Sequence, residues 1–163
     1  MKKFELTNEF VTNMFGTKLF RIRALVEFGD VEAGELGGYV EKESNLGHDD
    51  NARVYGNAWV YGDAQVSGDA WVYGDARVCG NGDYAYAHGF GSVNRTTTFF
   101  RLKDDGVGVR CGCFYGTLAQ FRDKIRETHG ETKKAQEYLM LADLMELRFE
   151  EDENEVGNRK YVE

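Results

Sequence analysis

Between residues 88 and 98 the chain concentrates groups suited to holding an anion. His88-Gly-Phe-Gly-Ser92 is followed by Asn94, Arg95 and a threonine run beginning at Thr96. Glycines let successive backbone N–H groups converge on one acceptor, and a guanidinium adds a planar, charge-assisted fork. An irregular exit from a repeated array uses Gly and Ser in the same way, so the motif alone leaves both readings open. A second group, Trp59, Tyr61 and Arg77, sets flat rings beside a cation. Such a trio at a groove between subunits could stack on a flat ligand; packing of the same rings against sister chains or flanking segments is the favoured reading.

Groups that could do covalent chemistry are sparse. His48, His88 and His129 are the three histidines, 40 and 41 residues apart, with no close pair. Three convergent histidines for zinc chemistry are not expected from that spacing. Cys111-Gly-Cys113 would place two sulfurs on one strand face, but no second cysteine pair or His-x-x-His supplies further ligands. With Cys79 the total is three, too few for a disulfide framework. No catalytic residue, metal site or cofactor is therefore assigned.

The elements that must position these residues are set by a six-residue phrase repeated five times over 54–83: valine, a variable residue, glycine, Asn or Asp, a small residue, a variable residue. The valine and the small residue fall four apart, on one face of an extended chain. Glycine followed by Asn or Asp supplies the corner between flat sides. A strict short period of this kind predicts a solenoid whose valines share one interior. Val40 and Leu46 extend the phase upstream, with 47–51 read as a two-residue insertion, and Tyr84 keeps it downstream.

The pattern resembles the hexapeptide-repeat proteins, whose left-handed β-helix has three hexads, eighteen residues, per coil. At that period Arg53 stacks with Trp71, Tyr55 with Tyr73, Trp59 with Arg77, Tyr61 with Cys79 and Gln65 with Asp83, all expected to point outward. Downstream, Ser92-Val-Asn-Arg-Thr-Thr-Thr-Phe99, Cys111-Gly-Cys-Phe-Tyr-Gly-Thr-Leu118 and Thr128-His-Gly-Glu-Thr-Lys-Lys-Ala-Gln-Glu-Tyr138 look like a phage and prophage hexapeptide-repeat family. The segment around Gly34-Glu-Leu-Gly-Gly-Tyr-Val40 resembles that family's lead-in. Val93 and Arg95 depart from its usual Ser-Arg-Asn-Asp-Thr-Thr-Thr-Phe, which alters the charge of that segment. The resemblance implies a homotrimer but no common activity.

Composition bounds the rest. The 163 residues carry 20 Lys and Arg against 28 Asp and Glu, a net charge of −8, with five acidic residues gathered in 150–155. An acidic balance argues against non-specific DNA or RNA binding. The first residues lack an apolar stretch of signal-peptide type, and no run approaches transmembrane length, so a cytoplasmic location is expected; the phage resemblance implies that the cytoplasm is a bacterial host's.

The flanks read as caps. Residues 18–26 alternate like a strand and could pair with 4–6; Asp105-Gly106 signals a hairpin turn. Thr117 with Gln120 makes a capping-box pattern, Gly130 a helix stop, and a second helix is expected over 132–149. The expected architecture is mainly β with C-terminal helices: an N-terminal β cap over 1–30, a short left-handed parallel β-helix over 31–90, a β-hairpin over 91–116, a helical hairpin over 117–149 and an acidic tail over 150–163. The expected function is a non-enzymatic trimeric binder, its site drawn from Trp59, Tyr61, Arg77, His88, Ser92, Asn94, Arg95 and Thr96. Its partner would be an anionic, nucleotide-like small molecule such as a defence signal, or a host defence protein. The alternatives are a hexapeptide-repeat acyltransferase with a histidine base and a protein-interaction scaffold.

Overall fold

The computed structural model describes residues 2–93 and 95–150. After a hairpin of β1 (Phe4–Thr12) and β2 (Lys18–Ala24), β3 (Leu36–Val40) enters the repeat region. There the hexads form two-residue strands: β4 (Arg53–Val54), β5 (Trp59–Val60), β6 (Trp71–Val72) and β7 (Arg77–Val78). Each strand turns one side chain out and its valine in.

Pairing is parallel at eighteen residues. Arg53 lies beside Trp71 and Val54 beside Val72; Trp59 lies beside Arg77 and Val60 beside Val78. One coil earlier the offset is twenty, with Val40 beside Val60 and Leu46 bridged to Val66. The two extra residues therefore fall between Leu46 and Arg53, where the broken period placed them. Val60, Val66, Val72 and Val78 have no exposed surface, and Ala58, Ala64, Ala70 and Ala76 fill the corners beside them. Close approach of successive coils explains the corner glycines. A Cβ on Gly62, whose φ is +60°, would sit 2.7 Å from the Cys79 carbonyl oxygen one coil away. Buried Asn45 fits a corner because its amide donates to the carbonyls of Gly62 and Ala64, at 3.2 and 2.8 Å, while its oxygen accepts from the Lys42 N–H.

The N-terminal hairpin extends one side of the coil, giving a sheet ordered β1-β2-β3-β5-β7. Phe4 and Ile22 then enter the solenoid core and cover its first coil. The inserted loop is anchored by Lys3, a lysine only 2% exposed. Its ammonium donates to the Ala52 carbonyl at 2.7 Å and the Asp50 carbonyl at 3.0 Å, contacts the Asp50 carboxylate at 3.3 Å, and lies 4.3 Å from the Phe28 ring. Asp50 also accepts from Ala52 N–H and Gly68 N–H. The Lys3 N–H donates to His48 Nδ1, and the His48 ring stacks on Phe4.

At the other end the coil finishes in a tight turn, Asn81–Asp83, and the chain passes into an antiparallel sheet ordered β11-β10-β9-β8. Its strands are β8 (Tyr84–Phe90), β9 (Arg95–Arg101), β10 (Val107–Cys111) and β11 (Phe114–Thr117). The expected boundary at residues 90 and 91 thus falls inside this sheet, at the turn joining β8 to β9. Phe100 closes the solenoid core, and Leu102 bridges to Ala76. The opposite face of the sheet, with Phe99 and Val109, packs on helices α1 (Leu118–His129) and α2 (Lys133–Phe149) through Phe121, Tyr138, Ala142 and Met145. The Thr117–Gln120 capping box forms, and Gly130 ends α1 with a φ of +60°. Of the acidic tail, only Glu150 lies among the described residues.

Two side chains expected outside are buried. Tyr61 is 6% exposed because Leu19 and Tyr39 pack over it. Asp83 is 5% exposed because Arg101 and Cys79 hold it. The Arg101 Nε lies 3.3 Å from Asp83 Oδ1, both side chains 7% exposed, while Cys79 N–H donates to Asp83 Oδ2 at 3.0 Å. Arg101 also donates to the Phe149 carbonyl at the end of α2, where a cation complements the helix dipole. One buried ion pair joins coil, sheet and helix.

Breaking that pair takes the cation away from a buried carboxylate, so Arg101→Met should lower stability by about 3–5 kcal/mol in urea unfolding; a loss under about 1 kcal/mol would show that the neutral donors around Asp83 suffice to hold its charge. Lys3 gives a pH signature. Burial pushes its ammonium below the ordinary 10.5, outweighing the pull of Asp50. The folded chain then sheds this proton at lower pH than the unfolded chain, so the cost of burying the charge disappears as pH rises from the folded-state value towards 10.5. The native chain should gain stability relative to Lys3→Met across that alkaline window. A flat difference would mean that Lys3 titrates as it does in solution.

Candidate functional site

The stacked coils make ladders of side chains along the outside. On one side, the Arg77 guanidinium lies 3.9 Å over the Trp59 ring, and Tyr39 occupies the rung above. On the next, Arg53 lies 3.7 Å from the Trp71 ring. Cation–ring stacking follows directly from the eighteen-residue register. Beside that ladder, Tyr55 stacks on Tyr73 with centroids 5.7 Å apart.

The β10–β11 hairpin continues two ladders as though it were a further coil. Arg110 of β10 places its guanidinium 4.0 Å from the Trp71 ring and 4.6 Å from Tyr73. Tyr115, opposite Arg110 in the hairpin, meets Tyr73 edge-on at 5.1 Å and accepts from the Asp75 N–H. Two guanidinium carbons this close to one indole must lie on opposite faces, so Trp71 is sandwiched. Its Nε1–H is buried, as is Arg110 Nε, and neither has a hydrogen-bond partner among the described residues.

Arg53 and Trp71 of this sandwich line an open groove of about 320 Å³. The coils contribute Arg53, Asp69 and Trp71, and the β2–β3 connection contributes Asp30; the sheet contributes His88, Arg95 and Thr96. His88 Nδ1 is 2.7 Å from Thr96 Oγ1, and Trp71 N–H donates to Thr98 Oγ1 at 3.0 Å, tying the two walls. Arg95 lies against Gly112, whose φ is +59° at the hairpin turn; a Cβ there would occupy the guanidinium's place. Burial pushes Arg53 below its ordinary value, opposed by Asp30 at 3.5 Å. The Arg95 guanidinium has no hydrogen bond or ion pair among the described residues, although its backbone belongs to the β8–β9 ladder.

The residues singled out from sequence therefore divide. His88, Arg95 and Thr96 come together at the groove. Trp59, Tyr61 and Arg77 lie on another side of the coil, where Arg77 donates to the carbonyls of Asn57 and Ala76 and covers Trp59. Burial pushes Arg77 down from its ordinary value. Ser92 sits exposed in the β8–β9 turn, and Asn94 lies outside the described residues. Arg53 and Trp71, which take the place beside the anion motif, were legible as a stacked pair but not as neighbours of Arg95. Arg110 gave no signal, because its role depends on how the hairpin docks.

The remaining chemistry-bearing groups are dispersed. His48 is held by Phe4 and Lys3, and His129 stacks beside Tyr138. Burial, reinforced by Cys111, raises the Tyr138 phenol above its ordinary value. Among the described residues, no cluster of three or more His, Cys, Asp or Glu could hold a metal ion, and no helix is long and apolar enough to cross a membrane. A larger hollow, about 580 Å³, lies between the β9–β10 turn and the helices and carries Asp104, Glu146 and Glu150. It contains none of the sequence-derived candidates.

Uncovering one face of Trp71 should be visible in its fluorescence, since the chain has two tryptophans. Arg110→Ala should shift emission to the red and cost about 1–2 kcal/mol in urea unfolding. Unchanged emission and stability would show that Arg110 does not cover the ring.

A family model described as the YdcK β-solenoid repeat matches residues 50–63 and 64–80. No curated protein matches the chain. The matched stretch is the valine array itself, whose coils pair at eighteen residues and share a dry interior. By repeat and by architecture, this chain is a β-solenoid repeat protein.

Proposed function

We propose that the chain is a non-catalytic binding protein whose groove takes a phosphate-bearing, nucleotide-like small molecule. The carrying observation is Arg95: an exposed guanidinium without a partner among the described residues, facing a groove walled by Arg53 and Trp71. A guanidinium fork matches two oxygens of a phosphate. Carboxylates on the same groove disfavour a nucleic-acid backbone, which would press phosphate after phosphate against them. In this proposal the coil is left-handed and the chain forms a homotrimer, as in the hexapeptide-repeat proteins it resembles. The phage-type tail segments support a role in withholding a nucleotide signal from a host defence response in the bacterial cytoplasm.

His48 is engaged as a hydrogen-bond acceptor and ring partner, which leaves the acyltransferase reading with His88 alone as a base. A second reading, docking on a host protein, is favoured by one observation. Met140, Leu144 and Leu147 form an exposed apolar stripe on α2, 71%, 54% and 67% exposed.

Calorimetric titration with linear and cyclic nucleotides tests the binding reading. Saturable binding with the ligand recovered unchanged is expected, and Arg95→Ala should weaken it about tenfold or more. Acetyl transfer from acetyl-CoA, or binding indifferent to Arg95→Ala, would overturn it.

A further inference from the structure

We infer that Asp69 selects the ligand of this groove by accepting two adjacent hydrogen-bond donors from a nucleoside. The inference rests on the nucleotide-binding reading above and deepens it.

The groove is not uniformly basic. Arg95 belongs to the sheet and Asp69 to a solenoid corner, while Asp30 lies in the β2–β3 connection. The two carboxylates differ in availability. Asp30 lies 3.5 Å from Arg53 and is one of the forces holding that cation charged. Asp69 sits in the corner just before Trp71, exposed, with no hydrogen bond or ion pair among the described residues. A solenoid corner needs only a short polar residue there, and Asn fills the same place at Asn57. The turn therefore does not require the charge that Asp69 brings into a groove built for an anion.

A carboxylate from a coil and a guanidinium from the sheet, both lining one groove, suit a ligand with an anionic end and a donor-rich end. A carboxylate accepts two parallel donors at once. In a nucleotide, two groups have that form: the N–H and amino edge of guanine, and the ribose cis-diol. Both place paired donors on one molecule with the phosphate. A ligand with phosphates at both ends would instead meet Asp69 with like charge.

Titrating the native chain and Asp69→Asn with GMP, AMP, 2′-deoxy-GMP and inorganic phosphate tests this. Asp69→Asn preserves corner chemistry already used at Asn57, so the coil should be retained, and thermal unfolding checks it. The native chain should prefer GMP to AMP, or GMP to its 2′-deoxy form, by about tenfold or more. The first result assigns the donors to the base edge, the second to the ribose. Asp69→Asn should reduce that preference to about twofold or less while leaving phosphate affinity unchanged. A preference that survives Asp69→Asn, or equal affinities in the native chain, would overturn the role of Asp69 and leave nucleotide binding standing. Failure of every nucleotide to bind would remove both.

Discussion

The solenoid interior is one valine wide at each side, and the rest of the molecule depends on that narrowness. Val54, Val60, Val66, Val72 and Val78 are buried to within 1% of completely, and burial of their methyl groups is the main apolar gain available to so thin a coil. A narrow interior tolerates only small corner residues, hence the alanines. It also fixes the rise from coil to coil, because the flat sides must hydrogen-bond directly above one another. Outward ladders are the by-product. Once Val54 is locked beside Val72, Arg53 has no place to go except over Trp71.

Such a stack has raw ends, and the two ends are finished differently. At the start, an antiparallel hairpin adds ordinary strands to one side, and Phe4 plugs the interior. At the finish, a second sheet crosses the last coil and supplies Phe100 as the plug. Its Arg110 and Tyr115 then imitate the next rung of two ladders. Capping and groove formation are consequently one event. The hairpin that hides the last strands also carries Gly112 against Arg95 and closes the groove beside Trp71.

What the sequence disclosed follows the same physics. Everything governed by local period was legible: the inward valines, the corner glycines, the two-residue insertion before Arg53, the Arg53–Trp71 and Trp59–Arg77 rungs, and the Thr117 capping box. What depended on docking was not. Nothing near Tyr61 announces that Leu19 and Tyr39 will cover it, and the burial of Asp83 requires Arg101 from a strand eighteen residues on. The candidate site was half visible. His88, Arg95 and Thr96 could be named as an anion motif, but their aromatic wall is Trp71 rather than Trp59, a choice settled by the path of β8 and β9.

The fixed pitch also limits how this architecture can change in evolution. Duplicating a single hexad between two coils would rotate everything downstream by one side of the coil. The sheet would then face the wrong ladder, and Arg110 would lose Trp71. Duplicating three hexads would return each ladder to its original azimuth and only lengthen the column. Length variation in relatives that keep this groove should therefore be quantised in whole coils, whereas single-hexad drift would mark lineages that have abandoned it.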